Sequence, residues 1–148
     1  MSTSKSALIK ALYTERAAML NNNCFRAWDE KEKLMMHGDF IEENCPTYTA
    51  GMSYGKLFVA NSADGEWYEC VVMQWTGLYD KTGKQIFEGD ILQPARVGRD
   101  IGAFVVMWDN KKAGYTCNNG RQIMIDTCDF GQREVIGNIY ENPELPTK

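Results

Sequence analysis

From residue 24 onward this chain is built of short apolar runs set between tight turns, and that punctuation restricts its fold more than any other feature. Trp67 to Trp75, Gln85 to Phe87, Ile91 to Gln93, Phe104 to Trp108, Tyr115 to Cys117, Ile123 to Ile125 and Glu134 to Tyr140 read as strands. Between them lie Asp80-Lys81-Thr82-Gly83, Glu88-Gly89-Asp90, Asp109-Asn110-Lys111-Lys112 and Asn119-Gly120. Asn-Gly is a strong hairpin dipeptide because both residues tolerate positive φ. Strands this short, joined by turns rather than by long helices, predict a mainly β fold, a small barrel or a sandwich. They exclude a doubly wound sheet. The 13 glycines and the 4 Trp, 7 Tyr and 6 Phe suit such a fold, since turns need glycine and aromatic residues favour strands.

The first residues differ in texture. Leu8, Ile9, Leu12, Tyr13, Met19 and Leu20 recur at helical spacing and predict a helix over residues 4 to 20. Ser4 is placed to cap it, and Asn21-Asn22-Asn23 to end it. We expect residues 1–22 to form an amphipathic helical extension and residues 23–148 a β domain. The apolar side of that helix must pack on the body or on another subunit, so a homo-oligomer is expected. Cys24 to Trp28 and Leu34 to Met36 flank a charged stretch and read as an opening hairpin. Residues 41 to 66, broken by Pro46, Gly51, Gly55 and Asp64-Gly65, read as loops with one short strand near Leu57 to Ala60.

Charge narrows the partners. The chain carries a formal net charge of −4, yet its first 23 residues are basic through Lys5, Lys10 and Arg16. An acidic body repels phosphate backbones, which disfavours broad nucleic-acid binding. No apolar run is long enough to span a bilayer, so no membrane association is expected. The 5 cysteines form no CxxC pair and point to reduced, buried thiols and a cytoplasmic setting.

Chemistry is sparse. His37, the single histidine, is followed by Asp39, which can orient a base, but no nucleophile or metal ligand is placed beside it by spacing. An exposed loop histidine is the plainer reading. No metal site is expected, and no cofactor. Arg96-Val97-Gly98-Arg99 can clamp a phosphate, with Arg121, Lys111 and Lys112 within reach of the same face and Trp75 or Trp108 as stacking platforms. A solvated loop and buried tryptophans are the competing readings, and burial is the one we favour for Trp108.

Three segments carry a resemblance. They are Phe25-Arg26-Ala27-Trp28-Asp29, the stretch from Gln74 through Thr76-Gly77-Leu78, Asp80-Lys81-Thr82-Gly83-Lys84 and Glu88-Gly89-Asp90-Ile91, and Glu134 through Gly137-Asn138-Ile139-Tyr140 to Leu145. In kind and in order they resemble the YopX family of phage and prophage proteins, over about residues 24 to 145. The resemblance implies a phage origin and a β-rich fold; it carries over no catalytic residue. Glu88-Gly89-Asp90 is also similar to the entry corner of SH3-like barrels, an analogy of fold alone. The expected function is that of a non-enzymatic, phage-encoded binding protein acting by occupancy in the host cytoplasm. It would sequester a small, nucleotide-like host signal or block a host protein. The alternatives are a nucleic-acid-associated accessory or regulatory factor of phage and, more remotely, a hydrolase or nuclease with a dispersed active site.

Overall fold

The computed structural model describes residues 4–20, 24–63, 65–93, 103–119, 124–125 and 127–145. It holds a helix and two antiparallel sheets, in a sandwich-like arrangement rather than a closed barrel. Helix α1 runs Lys5–Leu20. Ser4 caps it as expected, its Oγ accepting from the amide of Ala7 at 3.2 Å.

The first sheet contains β1 (Phe25–Asp29), β2 (Leu34–His37), β3 (Tyr48–Ser53), β4 (Lys56–Asn61), β5 (Tyr68–Tyr79) and β6 (Gln85–Phe87). Its order is β2-β1-β5-β4-β3, with β6 paired to the far end of β5. A short helix, α2 (Gly38–Glu43), follows β2. The second sheet is β10-β9-β8-β7-β11, from β7 (Asp90–Leu92), β8 (Phe104–Asp109), β9 (Gly114–Asn118), β10 (Met124–Ile125) and β11 (Val135–Asn138). A 3-10 helix, Thr127–Gln132, precedes β11.

The expected opening hairpin is β1 with β2. The expected loop region is more regular than its sequence suggested. Residues 48–61 form a hairpin in which Ser53 pairs with Lys56 across Tyr54 and Gly55. Both turn residues have positive φ, 51° and 78°, the twist that a two-residue hairpin turn needs. The strand signal of β3 is weak because Gly51 stands where the Phe58 ring packs against the backbone. A methyl group there would meet that ring at 2.9 Å.

Each sheet has its own core. Ala27, Met36, Ile41, Tyr48, Val59 and Cys70 form one cluster. Ile86, Leu92, Phe104, Val106, Cys117, Phe130 and Val135 form the other. Fully burying a side chain such as Phe130 stabilises the fold by roughly 1.5–3 kcal/mol. Two strands serve both regions. In β1, Ala27 and Asp29 face the first cluster, while Arg26 and Trp28 face the second sheet, so all four are buried. In β5 the buried positions change face midway, from Cys70 to Met73 and Trp75. Gly89, at the junction, has φ 85°, donates to the carbonyl of Val106 and accepts from the amide of Ile139.

Of the five cysteines, Cys70 and Cys117 are buried as expected, Cys24 is half-buried, Cys45 is exposed, and the Cys128 side chain lies outside the described residues. Cys45 lies in the polar stretch that leads into β3, where no sheet covers it. No described helix is long and apolar enough to cross a membrane.

Candidate functional site

Where the two sheets meet, a cleft of about 350 Å³ opens between β1, β2, β6 and β11. All three segments that carry the family resemblance reach it. Arg26 comes from the first, Lys84, Phe87 and Asp90 from the second, and Gly137, Asn138 and Asn142 from the third. His37, at the end of β2, lines the same cleft.

Arg26 and Asp90 form its floor. The Arg26 Nη2 donates to Asp90 Oδ1 at 2.6 Å, and both side chains are almost fully buried. The guanidinium lies over the Phe87 ring, 4.8 Å from its centroid. The other Asp90 oxygen accepts from the amide of Phe87 at 2.8 Å. Burial raises the Asp90 carboxyl above its ordinary range, and the Arg26 charge and the Phe87 amide offset only part of that. The Nε of Arg26 is buried with no hydrogen-bond partner. Such an orphan donor costs roughly 1–3 kcal/mol.

His37 is not the exposed loop histidine that its neighbours in sequence suggest. It pairs with Arg26 across β1 and β2 and sets its ring edge-on to Phe87 at 5.5 Å. Its Nδ1 is buried and unpartnered. Burial first, and then the Arg26 charge, push its pKa below the ordinary value, although Asp39 and Asp90 pull the other way. The ring is therefore neutral at pH 7, offering one donor and one acceptor. Asp39 uses Oδ1 to accept from the amide of Phe40. Among the described residues, no three His, Cys, Asp or Glu side chains gather as a metal set.

The rim is built by the third segment. Asn138 Oδ1 accepts from the amides of Tyr140 and Glu141 at 3.1 and 2.8 Å, which turns the chain back over the cleft. Asn142 Oδ1 accepts from the amide of Asn138 at 3.2 Å. That contact needs a glycine at 137, because any Cβ there would strike the Asn142 amide. Opposite, Asp80 ties the β5–β6 turn to β11. Its Oδ1 takes the amides of Thr82 and Lys84, and its Oδ2 takes the amide of Val135 at 3.0 Å. The arrangement can hold a compact polar ligand against buried donors, within a wall shaped by turn chemistry.

Of the residues proposed from sequence, those that are described fall elsewhere. Arg96, Arg99 and Arg121 lie outside the described residues. Lys111 and Lys112 are exposed in the turn between β8 and β9, in the second sheet. Trp75 is 6% exposed in β5 of the first sheet and donates its Nε1 hydrogen to the Leu78 carbonyl at 3.0 Å. That side chain is core and offers no open face for stacking. Trp108, expected to be buried, is 46% exposed, leans edge-on against Tyr115 and bonds Asn110. It shares the face of Phe104 and Val106 but stands at the far end of β8, past the last buried position of that face, opposite Tyr115. Arg26 and Asp90 escaped the sequence reading because nothing local pairs them. The one available signal was a charged residue inside an otherwise apolar strand segment.

A model of the family described as YopX protein matches residues 24–146. Protein EF1440 from Enterococcus faecalis has a crystal structure with 28% sequence identity and a TM-score of 0.51, covering 83% of this chain and 96% of that one. Protein yopX from Bacillus subtilis gives 16% identity and a TM-score of 0.48, over 84% and 95% of the two chains. A comparison with curated proteins returns no match.

Proposed function

The chain belongs to the YopX family, and from that premise we propose that it is a non-enzymatic binding protein that acts by occupancy, with its ligand seated in the cleft between the two sheets. The observation that carries this reading is the convergence on one cleft of all three family-like segments together with two buried, unpartnered nitrogens, Arg26 Nε and His37 Nδ1. A ligand bearing acceptor oxygens, in the manner of a nucleotide-like signal, would meet the Arg26 guanidinium, whose Nε hydrogen the folded chain leaves unused, and a neutral His37 ring that offers one donor and one acceptor. Lys84, at the mouth, adds positive charge. Binding of this kind needs shape and charge complementarity alone, which suits a phage protein that sequesters a host signal in the host cytoplasm.

The test is native mass spectrometry of the protein isolated from infected cells. A reproducible excess mass per subunit, released on denaturation and missing from the His37→Gln and Lys84→Gln variants, supports the reading. An unadorned mass in the wild type, with no thermal shift from a nucleotide panel, overturns it.

A second reading rests on the β8–β9 turn. Trp108 is exposed there beside Lys111 and Lys112, a pairing of aromatic and basic groups that can engage a single strand. Salt-dependent binding of single-stranded probes, lost in Trp108→Ala, would favour a nucleic-acid accessory role over the cleft.

A further inference from the structure

The first sheet has one face only half covered. Near β1 the second sheet covers it, with Tyr140 stacked on Trp28 at 5.9 Å and Met73 against Gly89. Toward β3 and β4 the same face continues through Val71, which is exposed, Ala60, which is buried, and Phe58, which is half-buried. The register sets Trp28 opposite Val71, and Ala60 opposite Glu69. There Thr49, Phe58, Ala60 and Trp67 line an open apolar groove of about 280 Å³. Trp67 is 66% exposed. A patch of this kind on a folded domain marks an interaction surface.

The same chain carries an uncovered counterpart. On α1, Leu8 is 55% and Leu12 66% exposed, one helical turn apart, with Ile9 beside them. This helix precedes the segment matched by the family model. The charges are complementary. Lys5, which shares the helix face of Leu8 and Leu12, is exposed, and Glu66 and Glu69 are exposed around Trp67. Both apolar surfaces are open to solvent, so the helix does not fill its own chain's groove.

We propose that α1 of one copy docks in the Phe58–Trp67 groove of a second copy, so that the chain self-associates through its helical extension. Leu8 and Leu12 enter the groove, and Lys5, on the same helix face, meets Glu66 and Glu69 at its rim. The test is sedimentation equilibrium of the full chain in low and moderate salt. A mass of two subunits or more is expected. Leu8→Glu with Leu12→Glu, and separately Trp67→Glu, should each weaken association about tenfold or more. None of these side chains is in a core, so circular dichroism should show both variants folded. Glu66→Lys with Glu69→Lys should weaken association, and Lys5→Glu in the same chain should restore part of it. A monomeric wild type overturns the proposal, because it leaves the helix unpaired or folded back on its own body. An assembly whose mass ignores both apolar variants also overturns it.

Discussion

Strand β1 carries two buried charges, and they are handled in opposite ways. On the face toward the first core, Asp29 is wrapped by neutral donors. Tyr48 and Tyr68 give their hydroxyls at 2.8 Å, Asn61 its amide at 2.9 Å, and Lys31 and Glu32 their backbone amides at 3.0 and 3.1 Å. Burial raises the Asp29 pKa, but these donors, Asn61 foremost, overcome it and hold the carboxyl below its ordinary value. The cost passes to the phenols: burial and the bond to Asp29 push both tyrosines well up. On the opposite face, Arg26 meets a single counter-charge, Asp90, and burial prevails. A carboxylate surrounded by donors knits four strands together. An ion pair with one donor left over stays poised for a further partner.

The largest expected effect comes from cutting the knot. Asp29→Ala strands two hydroxyls, an amide side chain and two backbone amides, and should lower unfolding free energy in urea by about 4 kcal/mol. A loss below about 1 kcal/mol would mean that water replaces the carboxylate, and the contrast would collapse. Arg26→Met leaves Asp90 buried without its counter-charge and should cost about 3 kcal/mol. Adding Asp90→Asn should recover at least half of that, whereas no second change in the Asp29 knot should rescue Asp29→Ala.

The two carboxyls should also differ in pH dependence. Asp29 has its folded pKa below the unfolded value of 3.8. Its stabilisation is therefore complete above that value and is lost as pH falls through the folded one. Asp90 has its folded pKa above 3.8, so its contribution is complete below 3.8 and is lost as pH rises through the folded value. Thermal melts should show the acid limb flattened in Asp29→Asn, and the limb above pH 3.8 flattened in Asp90→Asn. The smallest effect belongs to Trp108→Ala, where an exposed ring loses one edge contact. A change of less than about 1 kcal/mol is expected in the same urea assay.

The strands and turns were legible where local chemistry dictates them. Asp80 folds its own turn, Gly83 and Gly89 take positive φ, and the helix starts at its cap, Ser4. The β3–β4 hairpin was less legible, because a Tyr-Gly turn and a glycine under Phe58 carry little strand signal. The cleft was harder still. His37, Arg26 and Asp90 are joined by register and by sheet-on-sheet contact, which link residues far apart in sequence. The two tryptophans were misassigned for a related reason. Alternation puts Trp108 on the face of Phe104 and Val106, and only the assembled sheets decide how far along a strand that face stays covered.

That β1 is packed on both sides has a consequence for how the sequence can drift. In a scan of every substitution at every position, β8 should read as a stripe, tolerant at Met107 and Trp108 and strict at Phe104 and Val106. Positions 26 to 29 should read as a solid bar, strict at each of four adjacent residues and for a different reason at each: charge at Arg26, size at Ala27, an aromatic surface at Trp28 and acceptor oxygens at Asp29.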